Sequence, residues 1–175
     1  MVEYNDIYDR DRNLTGRTHR RGTPWNKGEY GLVVCVWIYD GKGKVLLTRR
    51  APEKSAPGTW ENSGGAAKAG EDSLSAIVRE LREETGIKAR AEEFVLLDRC
   101  TERETHYDHY CLHRDSSKVK VVLQPGETDG AQWATFAQIH EMIRKKQICK
   151  AIGKQFLRHE PMLLERQNDD WKQIV

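Results

Sequence analysis

Residues 65–87, GAAKAGEDSLSAIVRELREETGI, decide how this chain is read. The second half of the stretch has the periodicity of a helix. Asp72 or Ser73 is placed to cap its start, and Gly86 is placed to take the left-handed turn that ends it. Leu74, Ile77, Val78 and Leu81 fall on one face, which predicts packing on a core. Glu80, Glu83 and Glu84 stand at i, i+3 and i+4, so three carboxylates share a neighbouring face. Like charges at that spacing repel. A solvated acidic face is the ordinary outcome for a Glu-rich helix. A hard divalent cation reverses the repulsion, because Mg²⁺ and Mn²⁺ take carboxylate oxygen as ligand. Gly65, Gly70 and Glu71 form the loop that enters the helix, where glycine lets backbone approach a ligand.

The fixed spacing favours the functional reading. Gly65 is followed by five residues, Glu71, seven residues, Arg79-Glu80, Leu81, one residue, Glu83-Glu84, one residue, Gly86 and Ile87. A chance match to such a pattern in a chain of this length has odds below about one in a million at average residue frequencies. The stretch resembles the signature of the Nudix hydrolases at every fixed position. Around it, Pro57-Gly58-Thr59-Trp60 resembles the Pro-Gly-x-Trp element common in that family. The resemblance implies an α/β/α sandwich with a mixed sheet, and hydrolysis of a diphosphate bond in a nucleoside diphosphate joined to another group. It implies Mg²⁺ or Mn²⁺ as cofactor, with Glu80 and Glu84 as metal ligands and Glu83 as ligand or general base. Glu71 follows as a metal-linked carboxylate, and Arg79 as the residue that holds a motif glutamate in place. The base comes from the motif in some members and from a later loop in others. Glu127 and Asp129 occupy such a loop here, and Glu127 is preferred because it precedes a tryptophan, Trp133.

Outward from the motif, residues 29–40 form the strongest strand. The run LVVCVWIY lacks clean alternation, which predicts a central strand covered on both faces. Asp40-Gly41-Lys42-Gly43 turns the chain into a second strand, residues 44–50, that ends in Arg49 and Arg50. Successive side chains point to opposite faces, so one arginine is expected at the substrate phosphates and the other in a surface ion pair. Gly64 and Gly65 are the glycines expected against the substrate. Residues 3–20 read as a hairpin, and Arg17, His19, Arg20 and Arg21 at its end form a local basic cluster, read as a solvated strand edge in preference to a contact to an anionic substrate or a partner subunit. This hairpin loosely resembles the leading hairpin of the isopentenyl diphosphate isomerase branch of the Nudix family. Downstream, strands are expected at 94–101, 105–113 and 119–123, a short strand at Trp133, and helices at 136–146 and 149–157. His106, His109 and His113 alternate in direction and do not converge, which predicts exposed or edge histidines.

The expected domain plan is an N-terminal hairpin over 1–28, a Nudix domain over 29–158 and a tail over 159–175. The 29 basic and 27 acidic side chains leave a formal charge of +2, which gives no general nucleic-acid signature. Cys35, Cys100, Cys111 and Cys149 contain no CxxC pair and read as reduced thiols, so a cytoplasmic protein is expected. The charged first residues predict no signal peptide, and no apolar run is long enough to span a membrane. The hairpin edge makes a homodimer the expected assembly. Two other functions fit parts of the pattern. A thiol-dependent isomerase is disfavoured because 62–66, NSGGA, contains no cysteine. A non-catalytic binding module is disfavoured by the complete carboxylate set.

Overall fold

The computed structural model describes residues 2–172, with side chains as far as Gln167. The chain is built around the strand β3, Gly31–Tyr39. Its Val34, Val36 and Ile38 pack against Ala76, Ile77 and Leu81 of α1, Ser73–Thr85. Its Trp37 and Tyr39 pack the other way, into a second core with Ile139 of α2, Phe136–Arg144, and Phe156 and Leu163 of α3, Lys150–Lys172. Helices thus cover both faces, which is why this strand is apolar without alternation. Truncating a side chain as buried as Leu81 to alanine would cost about 2–5 kcal/mol.

The sheet is mixed, as expected. Two long edges of β3 receive different partners. On one side β8, Thr105–His113, runs parallel to it and carries the antiparallel β7, Val95–Glu102. On the other side the edge is shared. β6, Ser63–Ala66, pairs antiparallel with residues 33–36, and β4, Lys44–Arg50, pairs with Ile38 and Tyr39. β4 carries β5, Trp60–Glu61, and β9, Thr128–Thr135. The glycines of the motif are therefore a rung of the central sheet, directly before the helix that bears the glutamates.

The hairpin forms as read, with β1, Tyr4–Tyr8, antiparallel to β2, Leu14–Arg20. It is fastened to the motif loop. The Ala69 amide donates to Tyr4 O at 2.8 Å, the Gly70 amide to Asp6 Oδ2 at 2.7 Å, and Asn5 Nδ2 to Ala67 O at 2.6 Å.

Four expectations need correction. Residues 119–123 form no strand; Val119 and Val121 pack on the first core, and the Val122 amide donates to Thr85 O at 2.8 Å. A carbonyl at the end of α1 would otherwise lack a partner, so this segment serves as a helix stop rather than a sheet edge. β9 begins at Thr128, five residues before Trp133, because β4 offers a long partner edge. The last helix does not end at residue 157; it runs on to Lys172, with Leu163 fully buried. His106 and His109 are buried, not exposed, because β8 is an inner strand.

The His109 ring stacks on Tyr107, lies 4.7 Å from the His159 ring, and leaves Nδ1 without a hydrogen-bond partner. Burial, then His159 and Arg158, push its imidazole down to about 3, and burial lowers His159 as well. Both rings are neutral in the fold, whereas an unfolded chain protonates them at about 6.5. Below that pH the unfolded state binds more protons, so stability drops as pH falls from about 6.5 toward about 3. His109→Gln should flatten that slope, seen as urea midpoints measured across the same window; an unchanged slope would remove His109 as its source.

Candidate active site

The helix of the motif starts and stops as its sequence dictates. Asp72 accepts from the Ser75 amide at 2.7 Å, and Gly86 ends the helix at φ 71°. A Cβ on Gly86 would also lie 2.9 Å from Val122 Cβ. Between these caps, Glu80, Glu83 and Glu84 face a cavity of about 130 Å³, shared with Gly64, Gly65 and Glu127. Glu127 enters from the turn before β9, across from α1.

Arg79 ties the acidic set together. Its Nε donates to Glu71 Oε1 at 2.6 Å and its second terminal nitrogen to Glu71 Oε2 at 2.8 Å. The other terminal nitrogen reaches Glu80 Oε1 at 2.8 Å and Glu83 Oε2 at 3.0 Å. The two-pronged contact holds the Glu71 carboxyl below its ordinary range. Glu71 also accepts from the Lys68 amide at 2.8 Å, so it braces the loop and reaches the cavity only through Arg79.

Glu84 has the opposite environment. Surrounding protein, then the charge of Glu80, pushes its carboxyl up to about 8, although the side chain keeps an edge on the cavity. Its one hydrogen bond among the described residues comes from the Gly64 amide at 3.1 Å. Burial raises Glu80 too. Two crowded carboxylates one helical turn apart, Glu80 bonded to Arg79 and Glu84 to a backbone amide alone, suit a hard divalent ion. Among the described residues no three His, Cys, Asp or Glu side chains stand as a finished metal cage.

The two arginines at the end of β4 part as the strand requires, but neither lines the cavity. Arg49 donates to Asp129 Oδ1 at 2.7 Å and lies 5.8 Å over the Trp60 ring. Arg50 grips both oxygens of Glu61 at 2.9 and 2.7 Å and reaches Ser55. Asp129 is thereby spent on Arg49, while Glu127 faces the cavity and pairs with Lys54. Arg21 of the basic cluster lines the cavity, and so do Lys54, Lys68 and Glu3, which sequence reasoning missed. Lys68 lies inside the motif at a variable position, and the others come from loops and the hairpin, where spacing carries no signal.

A family model described as the NUDIX domain matches residues 29–152. The chain belongs to the Nudix hydrolases. It is 30% identical over 143 residues to an uncharacterized Nudix hydrolase of Listeria monocytogenes, covering 81% of this chain and 85% of that protein. It is 43% identical over 62 residues to the CTP pyrophosphohydrolase of Escherichia coli, covering 35% of this chain and 46% of that enzyme. Among solved structures, DR0079 from Deinococcus radiodurans superposes with a TM-score of 0.70 at 23% identity, covering 82% of this chain and 90% of that one. That likeness is one of fold. As an enzyme the chain is a Nudix pyrophosphohydrolase, and among its described residues no helix is long and apolar enough to cross a membrane.

Proposed function

We propose that this hydrolase cleaves a diphosphate bond in a soluble nucleoside diphosphate derivative, in the cytoplasm, with Mg²⁺ or Mn²⁺. The Glu80–Glu84 pair, crowded by protein and facing one small cavity, supports this reading above all else. Glu80 and Glu84 would hold the ion, with Glu83 beside them. A bound divalent ion neutralises phosphate oxygens and makes water a better nucleophile. Arg79 fixes the carboxylates so that they do not rearrange during the reaction. Glu127 takes the proton from the attacking water across the cavity, and Lys54 orients it.

Phosphate release from a panel of nucleotide derivatives, with Mg²⁺ and with excess chelator, tests the reading. Release in the first case and none in the second is expected; full release in chelator would refute the metal assignment. Glu127→Gln should lower kcat by roughly 10²–10⁴-fold while leaving the Mg²⁺ concentration for half-activity in place. A variant as fast as wild type returns the base to Glu83.

The isomerase alternative has one point in its favour, a relative. The isopentenyl-diphosphate Delta-isomerase of Escherichia coli is 42% identical over 69 residues, which is 38% of either chain. The thiol paired in register with the motif glycines is Cys35, opposite Gly64. It is buried, and burial together with Glu84 pushes its ionisation far upward, which suits an inert thiol. Incubation with isopentenyl diphosphate should return it unchanged. The assembly in this reading is a homodimer through β2, which is exposed along most of its length; a monomeric mass by light scattering would remove it.

A further inference from the structure

The hairpin β1–β2 lies outside the matched domain, yet it supplies part of the catalytic cavity. Arg21 follows β2, and Lys68 sits in the loop that the hairpin grips. Both face the cavity that holds Glu80, Glu83 and Glu84. Between them stands Glu3, which accepts from Arg21 through Oε2 and lies 3.3 Å from Lys68 Nζ through Oε1. Those two contacts hold the Glu3 carboxyl below its ordinary range. The Arg21 amide also donates to Glu3 O at 3.0 Å, which fixes this end of the hairpin.

Two cationic side chains thus converge on one carboxylate, Glu3, at the hairpin side of the cavity. The other two cations of the lining are held by other acids: Lys54 by Glu127, and Arg79 by Glu71, Glu80 and Glu83. The Glu3 carboxylate occupies the space between two donors that a phosphate oxygen would fill, and a terminal phosphate brings two negative charges where Glu3 brings one. At about 130 Å³ the cavity is small enough that such a phosphate would touch the motif side and the hairpin side together.

We propose that Arg21 and Lys68 form a terminal-phosphate site, so that the hairpin selects nucleoside triphosphates over nucleotides whose outer phosphate is esterified to a neutral sugar. This rests on the hydrolase reading. Glu3 holds both cations in place until substrate arrives. Because the hairpin is bonded to residues 67, 69 and 70, the site is rigidly related to Glu71 and the motif helix.

Steady-state kinetics with a nucleoside triphosphate and a nucleotide sugar test the proposal in wild type, Arg21→Gln, Arg21→Lys and Arg20→Gln. Arg20 is an exposed hairpin residue that does not line the cavity. Arg21→Gln should raise KM for the triphosphate by roughly ten- to hundredfold, since a charge-assisted hydrogen bond is lost. It should change the KM for the sugar by less than about twofold, with Arg21→Lys in between and Arg20→Gln unchanged. A structural role predicts instead equal losses on both substrates and a lower melting temperature. Calorimetric titration with tripolyphosphate and Mg²⁺ gives a readout without turnover, and Arg21→Gln should weaken it by the same factor. Equal tripolyphosphate affinity in wild type and Arg21→Gln would overturn the proposal. A wild type that hydrolyses the nucleotide sugar but not the triphosphate would overturn the proposal as well, and one that releases phosphate from no member of the nucleotide panel would overturn the hydrolase reading instead.

Discussion

Glu84→Gln should lower kcat by roughly a thousandfold or more and at the same time raise the melting temperature of the metal-free protein. Both effects come from one environment. Glu84 is crowded by protein, stands beside Glu80 and receives a single hydrogen bond from the Gly64 amide. In the ligand-free chain its charge is therefore a liability. The folded state holds the carboxyl proton up to about 8, well above the ordinary 4.5, so ionisation at neutral pH favours unfolding. Glutamine keeps the size and the acceptor for Gly64 and removes the charge. For a chain this long, each kcal/mol relieved adds about 2–4 °C. In the loaded enzyme the same charge is what holds the ion, so turnover collapses. Glu92→Gln is the control: Glu92 is an exposed acid 3.3 Å from Arg90, outside the motif, and should change neither quantity. Glu84→Gln that remained active, with unaltered Mg²⁺ dependence, would mean that this helix face is only solvated surface.

How far the sequence carried the reading differs by element, for physical reasons. α1 was legible almost to the residue, because caps, apolar periodicity and charge spacing are all local. β3 was legible because a strand buried on both faces must be apolar throughout. The destination of β1 was not, since its bonds run to the backbone of residues 67–70, which any sequence presents alike. The same holds for residues 119–123, whose valines suit a strand but whose amide is taken by the end of α1. His106 and His109 were misjudged because burial follows from β8 lying beside β3, a parallel pairing of distant segments. Within the site, Glu80, Glu83 and Glu84 face one cavity as their helical spacing requires, while Glu71 lies outside its lining and bonds Arg79. The motif did not predict that Arg49 and Arg50 each find a carboxylate outside the cavity, in Asp129 and Glu61. Besides Arg79 of α1, the basic residues that do line the cavity, Arg21, Lys54 and Lys68, come from three separate loops.

Gly64→Ala and Gly65→Ala should fail in different ways, although they are adjacent in one short strand. A Cβ on Gly65 would fall 2.4 Å from Glu80 Oε1 and 2.5 Å from its Cδ. Those atoms end a flexible side chain, so the carboxyl swings aside and the fold survives. It swings away from Arg79 and from the place shared with Glu84, so kcat should drop by about a hundredfold or more while the melting temperature moves by only a few degrees. A Cβ on Gly64 would fall 2.2 Å from Val34 O and 2.8 Å from Cys35 Cα. These are backbone atoms of the central strand, and they move only if the β3–β6 pairing is disturbed. That substitution should cost about 3 kcal/mol or more, which lowers the melting temperature by roughly 6–12 °C. Thermal melts read beside kcat separate the two outcomes. If Gly65→Ala melted as low as Gly64→Ala, its role would be structural. If it kept wild-type turnover, the position of the Glu80 carboxyl would not matter to the reaction, and the assignment of Glu80 to the metal would fall with it.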